Sequence, residues 1–245
     1  MKYRRVLIKL SGEALSGEGR SILSSDMLSR VANVLVDFSL KGVEIAVVVG
    51  AGNIWRGKQG GHSKMEANTA DHMGMLGTVI NALAVKDAVN RAGAEKGVEA
   101  VVQTAVPMDA FAEPYSHRSA QKHLSEGRIV IFGCGTGSPF FTTDTAAALR
   151  AIEIGADIIL MAKNVDGVYD KNPADHPDAV KYDRVTYQQT LKLNLAAADS
   201  TASALCLNND MPMIVFELKQ PENIARVLSG ESLGTLVYKG IGGEE

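Results

Sequence analysis

Residues 133–157, GCGTGSPFFTTDTAAALRAIEIGAD, join an apolar segment, RIVIF (128–132), to an alanine-rich segment that is typical of a helix. Most connections in compact α/β proteins need only two to six residues. This connection instead contains three alternate glycines, a proline, two phenylalanines, three threonines and an aspartate. The stretch therefore predicts a strand, a long loop equipped to bind a ligand, and a helix, in that order.

The rest of the chain repeats this alternation of apolar, strand-length segments with helical ones. Strands are predicted at 5–10, 43–49, 98–104, 128–132, 157–162, 213–218 and 234–238. Helices are predicted at 26–40, 71–92, 116–126, 143–155, 186–192, 195–208 and after Pro221, and residues 163–183 are predicted to be a loop. Such alternation predicts an α/β fold, a mainly parallel sheet covered by helices on both faces. We expect one domain over residues 1–245, with ligands beyond the carboxyl ends of the strands.

Composition narrows the classes of function. The chain has 245 residues, 46% of them hydrophobic and 22% charged, with a net charge of −3, so no basic surface for nucleic acid is expected. Its apolar segments are too short for a membrane span, and the N-terminal MKYRRVLIKLSGE does not fit a signal peptide. Two cysteines form neither a metal motif nor a disulfide framework. We expect a cytoplasmic protein that binds neither nucleic acid nor membrane.

Polar residues follow the first two strands. Lys9 lies inside an apolar strand, which is costly unless its ammonium group reaches an anion or solvent, and Gly12 follows closely. The segment GAGNIWRGK (50–58) matches GxxxxGK, but Gln59 stands where a phosphate loop needs Ser or Thr, so it is not that motif. Arg56 can still bind phosphate oxygens. The alternatives are an edge lysine with a turn glycine, and a glycine-rich surface loop.

The opening stretch is close to a dinucleotide fingerprint, but its third glycine comes one residue early and Ser138 occupies the expected position. A phosphate- and sugar-binding loop fits its hydroxyl groups better. Thr143 or Asp144 is expected to cap the following helix, whose N-terminus would favour an anion; a helix cap alone is the alternative. Asp71 is likewise either a helix N-cap or a ligand contact.

The segment AKNVDGVYDKNP (162–173) follows the fifth predicted strand. Asp166-Gly167 is a common turn pair, which is the simpler interpretation. Lys163, Asn164 and Tyr169 are also suited to hold a second nucleotide, through an amine for phosphate and an aromatic ring for the base. All of these motifs lie at strand ends of one predicted parallel sheet, which favours a shared site.

Five motifs, KLSGEAL, GAGNIWRG, DHMGMLGTVINALA, GTGSPFFTTDTAAALRAIEIGAD and KNVDGVYDKNP, together resemble the bacterial UMP kinases of the amino-acid kinase superfamily. The resemblance runs in order over nearly the whole chain. It implies a three-layer αβα sandwich of the amino-acid kinase and carbamate kinase type. It also implies transfer of a phosphoryl group from MgATP to UMP in pyrimidine biosynthesis, and a homohexamer regulated by UTP and GTP.

The resemblance implies a role for individual residues at matching positions. It assigns catalysis to Lys9, Arg56, Asp144 and Asp199, with the two aspartates organising lysine and Mg²⁺. It assigns ATP binding to Lys9, Leu10, Ser11, Gly12, Gly52, Arg56, Lys163, Asn164, Tyr169 and Asn172. It assigns UMP binding to Ala51, Asp71, Thr136, Gly137, Ser138, Pro139, Phe140, Phe141, Thr142 and Thr143. Which aspartate contacts Mg²⁺ is left open.

The chain departs from the family pattern in four places. Ala51 replaces a glycine, Ser138 an asparagine and Asn172 a frequent aspartate, and residues 17–24 differ from the family's segment tied to GTP, which leaves activation by GTP open. Three other functions are alternatives. They are a kinase of the same fold acting on a carboxylate or carbamate, a nucleotide-binding regulator without turnover, and a nicotinamide-dependent dehydrogenase, which the broken fingerprint disfavours.

Overall fold

The computed structural model describes residues 2–16, 21–55 and 65–240. The strands are β1 (Arg5–Leu10), β2 (Glu44–Val49), β3 (Ala100–Thr104), β4 (Glu113–Pro114), β5 (Ile129–Gly133), β6 (Ile158–Lys163), β7 (Val168–Tyr169), β8 (Lys181–Tyr182), β9 (Arg184–Thr186), β10 (Met213–Glu217) and β11 (Thr235–Tyr238). The helices are α1 (Gly12–Leu15), α2 (Ser25–Leu40), α3 (Ala67–Gly93), α4 (His117–Ser125), α5 (Thr143–Ile154), α6 (Tyr187–Lys192), α7 (Ser200–Asn208) and α8 (Glu222–Leu228).

Nine of these strands form one sheet in the order β4-β3-β5-β2-β1-β6-β10-β11-β9. In the described part of the chain every neighbouring pair of this sheet is parallel except β10 with β11. One apolar core packs α2, α3 and α8 against one face, and a second packs α4, α5, α6 and α7 against the other. The prediction of a mainly parallel α/β fold with helices on both faces is confirmed.

Strand β1 lies in the centre of the sheet, and the alternation of its side chains determines which face Lys9 occupies. Alternate side chains of a strand point to opposite faces. Ile8 and Leu10 belong to the core beneath α2 and α3, whereas Leu7 belongs to the core beneath α5. Lys9 is two residues from Leu7 and therefore lies on the α5 face, one residue before the carboxyl end of the strand.

The structure differs from the predicted elements mainly where segments are short. The predicted loop 163–183 contains the hairpin β7–β8, whose two-residue strands are too short to show a period. Helix α7 begins at Ser200 instead of 195, because Asp199 caps it by accepting the amide of Ala202. Helix α3 begins at Ala67, so Asp71 lies in its second turn and is not an N-cap. Strands β4 and β9, and helix α1, were not predicted.

No described helix combines the length and the apolarity that crossing a membrane requires.

Gly155 ends α5 and turns the chain into β6, which lies next to β1. Its φ of 68° is left-handed, and its amide donates to Ile152 O at 3.1 Å while the Ala156 amide donates to Ala151 O at 2.9 Å. An added Cβ would meet no atom closer than 3.8 Å, so the only penalty for alanine is conformational.

Gly155→Ala should therefore lower the free energy of unfolding by about 1–2 kcal/mol, the cost of a left-handed conformation for a residue with a Cβ. Gly74→Ala is the control of opposite sign, because Gly74 lies inside α3 with its nearest neighbour at 3.7 Å, and alanine favours the helix by about 1 kcal/mol. Urea denaturation of both variants measures the two effects. Equal shifts of the same sign would contradict this explanation of the helix end.

Candidate active site

A carboxylate shared by two lysines lies at the centre of the site. Lys9 Nζ is 3.0 Å from Asp144 Oδ1, and Lys163 Nζ is 3.1 Å from Asp144 Oδ2. Lys9 is the second-to-last residue of the central strand β1, Lys163 ends the neighbouring strand β6, and Asp144 lies in the first turn of α5. Two predicted catalytic residues and one predicted ATP ligand are thus in direct contact. We call these three residues the Lys9–Asp144–Lys163 cluster.

Asp144 is ionised in this cluster. Burial alone would raise its pKa, but the charges of Lys9 and Lys163 and their hydrogen bonds outweigh burial, so the pKa lies below the usual range of a carboxyl group. The side chains of all three residues are at most 21% exposed. The cluster therefore carries a net charge of +1 at neutral pH, with both ammonium groups held at fixed positions.

The N-terminus of α5 is ordered by hydroxyl groups around Asp199. The Thr142 hydroxyl accepts the amides of Asp144 at 3.0 Å and Thr145 at 3.2 Å, and donates to Asp199. The Thr145 hydroxyl also donates to Asp199, at 3.0 Å, and Asp199 accepts the Ala202 amide at 2.8 Å. Thr142 is therefore the cap of α5, which corrects the prediction of Thr143 or Asp144. Among the described residues, the contacts of Asp199 are hydroxyls and this amide, with no lysine among them.

Two glycine segments meet beside the cluster. An added Cβ on Gly12 would lie 2.6 Å from Gly50 O, so only glycine fits there. Gly50 N donates to Leu10 O at 2.9 Å, and Ser11 N donates to Ala162 O at 3.3 Å. Such close approach of backbone segments is typical of loops that bind phosphate.

Neighbouring residues extend this contact towards α5 and α1. A Cβ added to Gly50 would lie 3.7 Å from Thr143 Oγ1, and one added to Gly52 would lie 3.0 Å from Glu13 Cγ. Ala51 is buried beside them. Arg56 lies outside the described residues, so its predicted place in the site is not tested.

The loop after β5 is fixed against α3. The Thr78 hydroxyl accepts the Cys134 amide at 2.8 Å, and Asp71 Oδ2 accepts the Phe140 amide at 2.7 Å. Cys134, Gly135, Gly137 and Phe140 all have positive φ. The remaining predicted UMP ligands of this loop are Thr136, Ser138, Pro139, Phe141 and Thr142, and Thr143 is the first residue of α5.

This loop has the exposure expected of a binding loop. Phe140 is 68% and Phe141 51% exposed, so neither ring is part of the core. The Thr136 hydroxyl donates to Ser138 O at 3.2 Å and accepts the Ser138 amide at 3.3 Å, which gives the loop a local turn. Asp71 holds this strained loop against α3. The aromatic rings and hydroxyls of the loop are therefore available to a ligand.

The segment after β6 forms the other side of the site. Asn164 donates to Glu13 at 2.8 Å, which links it to α1. The Tyr169 hydroxyl donates to Asp166 at 2.7 Å, and Lys181 contacts the other oxygen of Asp166 at 3.1 Å. Tyr169 and Asn172 line a cavity of about 260 Å³. Asn172 also donates to Asp175, at 2.5 Å, so its amide is already engaged.

Several residues of this site were not predicted from the sequence. Thr145 shares Asp199 with Thr142, Glu13 holds Asn164, and Asn53 and Asn81 lie against Gly12 and Gly50. Thr145 could have been predicted from the sequence, because it places a hydroxyl group in the first turn of the predicted helix. The two asparagines belong to quoted motifs, but no sequence pattern indicates that they face each other across two loops.

The described carboxylates do not form a resident metal centre. Both oxygens of Asp144 contact lysines, and both oxygens of Asp199 accept hydrogen bonds. Within residues 2–16, 21–55 and 65–240, no group of three or more His, Cys, Asp or Glu side chains could hold a metal ion. The site instead contains fixed cations, a helix N-terminus and glycine loops. These groups favour the binding of polyanionic ligands.

The sequence also matches a known protein family. Residues 4–217 match the model of the Amino acid kinase family. The chain belongs to the amino acid kinase family.

Solved structures of the same fold include several similar chains. The UMP kinase of Bacillus anthracis is 37% identical, with a TM-score of 0.91, and the match covers 98% of this chain and 97% of that one. The UMP kinase of Ureaplasma parvum is 38% identical, with a TM-score of 0.89 and coverage of 98% and 100%. The uridylate kinase of Archaeoglobus fulgidus is 28% identical, with a TM-score of 0.73 and coverage of 95% and 99%.

Replacing Asp144 by alanine should destabilise the protein, because two ammonium groups would face each other without the carboxylate. We expect the free energy of unfolding at pH 7 to fall by about 3 kcal/mol, the usual cost of leaving a buried charge unpaired. Lys163→Met is the control, because it leaves the pair of Asp144 with Lys9 and should cost less.

The effect has a defined pH dependence. The pKa of Asp144 is lowered on folding, so its stabilisation is present above the ordinary carboxyl pKa and is lost as the pH falls through the folded-state value. The difference between wild type and Asp144→Ala should therefore shrink below about pH 4. Urea denaturation at pH 7 and in acid measures it, and a variant as stable as wild type at pH 7 would contradict the bridging role.

Proposed function

We propose that this chain is a UMP kinase, which converts MgATP and UMP to MgADP and UDP. The observation that carries the proposal is the position of the Lys9–Asp144–Lys163 cluster. In the sheet order β5-β2-β1-β6, the loop that contacts Asp71 follows β5, on one side of β1, and the segment that lines the cavity of Tyr169 follows β6, on the other side. Two nucleotides bound on these two sides would direct their phosphates at the same pair of ammonium groups.

The reaction needs little from a general base. An oxygen of the UMP phosphate is already anionic and attacks the γ-phosphorus of ATP. A new P–O bond forms, the bond from the γ-phosphorus to the bridging oxygen of ADP breaks, and that oxygen keeps the electron pair. Positioning and neutralisation of charge therefore account for most of the catalysis of such a step.

Charge repulsion is the obstacle that the site must overcome. Two unit charges 4 Å apart repel each other by about 4 kcal/mol at an effective dielectric constant of 20, and two nucleotides bring several such pairs together. Lys9 and Lys163 offset this repulsion, and the N-terminus of α5 adds partial positive charge. Arg56, outside the described residues, is proposed to add a further cation. Asp144 holds the two lysines, and Asp199 holds the start of α5.

We assign the two sides of the cleft to different nucleotides. UMP would bind between Asp71 and the loop of Thr136, Gly137, Ser138, Pro139, Phe140, Phe141, Thr142 and Thr143, with Ala51 beside its phosphate. ATP would place its phosphates at Lys9, Leu10, Ser11, Gly12, Gly52, Arg56 and Lys163, and its base near Asn164, Tyr169 and Asn172. Mg²⁺ belongs to the ATP substrate and would arrive bound to its phosphates, since the described carboxylates are already engaged.

The wider biology of the protein follows from this proposal. Phosphorylation of UMP is a step of pyrimidine nucleotide biosynthesis, so we propose a cytoplasmic enzyme that acts as a single domain over residues 1–245. We also propose inhibition by UTP. Activation by GTP stays open, because residues 17–20 of the divergent segment lie outside the described residues.

A coupled ADP-release assay tests the reaction directly. With MgATP, turnover is expected with UMP and not with glutamate, aspartate or carbamate, because the predicted acceptor loop carries hydroxyls and aromatic rings instead of cations for a carboxylate. CMP in parallel measures base preference, and GTP and UTP measure regulation. Tight binding of UMP without formation of UDP would show a regulator, and binding of a nicotinamide nucleotide in its place would reject the assignment.

Lys9→Ala and Asp144→Ala should each lower kcat by about a hundredfold or more, as removal of a charge-stabilising group does in other enzymes. Lys96→Ala is the matched control, because Lys96 pairs with Asp37 on the surface at 3.3 Å, far in sequence from the cluster. Circular dichroism confirms that each variant is folded at the assay temperature. Turnover within a few-fold of wild type in either variant would remove that residue from the mechanism.

We further propose that the chain self-associates, as a homohexamer, through α3. Met73, Leu76 and Ile80 lie on one face of this helix and are 37%, 51% and 52% exposed. An exposed apolar stripe of this kind is typical of an interface between subunits. The stripe lies beyond Asp71, so assembly would also order the start of the helix that holds the UMP loop.

Ile80→Asp should reduce the assembly to smaller species, because an interface cannot bury the carboxylate without a partner. Val180→Asp is the control, since Val180 is 62% exposed but lies outside α3. Light scattering coupled to size-exclusion chromatography measures the mass of each. A wild-type protein that elutes as a monomer, or an Ile80→Asp variant of unchanged mass, would contradict the interface.

A further inference from the structure

Two asparagines on different elements form a buried amide pair beside the glycine loops. Asn81 is on α3 and fully buried, and Asn53 follows β2. Asn81 Nδ2 donates to Gly50 O at 2.6 Å and to Asn53 Oδ1 at 2.8 Å, and Asn81 Oδ1 accepts Asn53 Nδ2 at 3.1 Å. Asn53 Nδ2 also donates to Ile22 O at 2.7 Å.

The chemistry of the acceptors fixes the orientation of both amides. Gly50 O can only accept, so Asn81 must present its NH₂ group to it. The second hydrogen of that group then faces Asn53, which must present its oxygen. The NH₂ group of Asn53 is left with one hydrogen for Asn81 and one for Ile22 O. Every strong donor and acceptor of the pair is thus used, and neither side chain can flip without breaking several hydrogen bonds.

The pair determines where the two glycine loops lie. Gly50 N is held by Leu10 of the central strand, and Gly50 O by Asn81, so the backbone of Gly50 is fixed from both sides. Asn53 Oδ1 and Gly50 O are the atoms that an added Cβ on Gly12 would strike, both at 2.6 Å. Asn81 thus holds both atoms against which Gly12 packs.

We propose that Asn81, acting through Asn53, is a positioning residue of the phosphoryl-transfer step. It sets the distance between the Gly50–Gly52 segment and Gly12, and hence between the phosphates that these segments would hold. This inference rests on the proposed function. The pair lies on the face of the sheet opposite the Lys9–Asp144–Lys163 cluster, because Asn81 belongs to α3, so its effect on the reaction is indirect.

Asn81→Ala should lower kcat by about tenfold or more, since small errors in the position of reacting groups cost large factors in rate. KM for UMP and for ATP should change by no more than about threefold, because the proposed contacts with base and ribose lie on Asp71, the 136–143 loop and the Tyr169 cavity. Asn53→Ala should show the same pattern. The loss of log kcat in the double variant should be smaller than the sum of the losses in the two single variants. Asn53→Ala also serves if Asn81→Ala does not fold.

Asn90→Ala is the matched control. Asn90 is on the same helix, about 13 Å further along it, and its side chain accepts the Ala100 amide at 2.8 Å. The Asn90→Ala variant therefore also loses a hydrogen bond between a side chain and the backbone. Asn90→Ala should lose stability and keep kcat. If both variants lose kcat in proportion to stability, or if Asn81→Ala keeps kcat within about twofold, the positioning role is wrong.

Amide hydrogen exchange of the nucleotide-free protein gives a readout that does not depend on turnover. Residues 50–55 should exchange faster in Asn81→Ala than in wild type or Asn90→Ala. A wild-type chain that makes no UDP would reject the proposed function alone, and the exchange rates would still decide whether Asn81 holds the loop. Unchanged exchange at residues 50–55 in Asn81→Ala would overturn the inference.

Discussion

The structure depends on the sharing of one ionised carboxylate by two lysines at the carboxyl end of a parallel sheet. A buried ammonium group is unfavourable by itself, and two of them side by side are more so. Asp144 makes both tolerable, at 3.0 Å from Lys9 and 3.1 Å from Lys163, yet leaves an excess positive charge. A site built in this way is stable without a ligand and still attracts polyanions.

The fold supplies this arrangement through ordinary rules of parallel sheets. Strands β1 and β6 are neighbours, so their last residues emerge at the same edge, and α5 begins above them. Alternation along β1 directs Lys9 to the α5 face. Asp199, at the start of α7, then ties the start of α5 in place through two threonine hydroxyls. The charges are thus held by regular elements, whereas the parts assigned to the nucleotides are loops that strand ends position.

Much of this was accessible from sequence, because it depends on local patterns. Buried strands such as RVLIKL and DIILMA are continuous apolar runs, and the strand ends carry the polar residues. The resemblance of five ordered motifs identified the family. The predictions that were wrong concern helix ends, where a residue distant in sequence determines the local geometry. Thr142, one residue before the predicted cap, is the cap because Asp199 receives its hydroxyl hydrogen. Asp71 is not a cap because α3 starts four residues earlier. The Asn53–Asn81 pair joins residues 28 positions apart and has no sequence signature.

The most direct test is a structure of the protein with a bisubstrate analogue in which adenosine and uridine are joined by a pentaphosphate chain. One molecule should lie across the cleft, with its phosphates in contact with Lys9 and Lys163, uridine beside Asp71 and adenine in the cavity of Tyr169. Both lysines should keep their contacts with Asp144. An analogue bound with its phosphates away from Lys9 and Lys163, or with its two bases on one side of the cluster, would contradict the account.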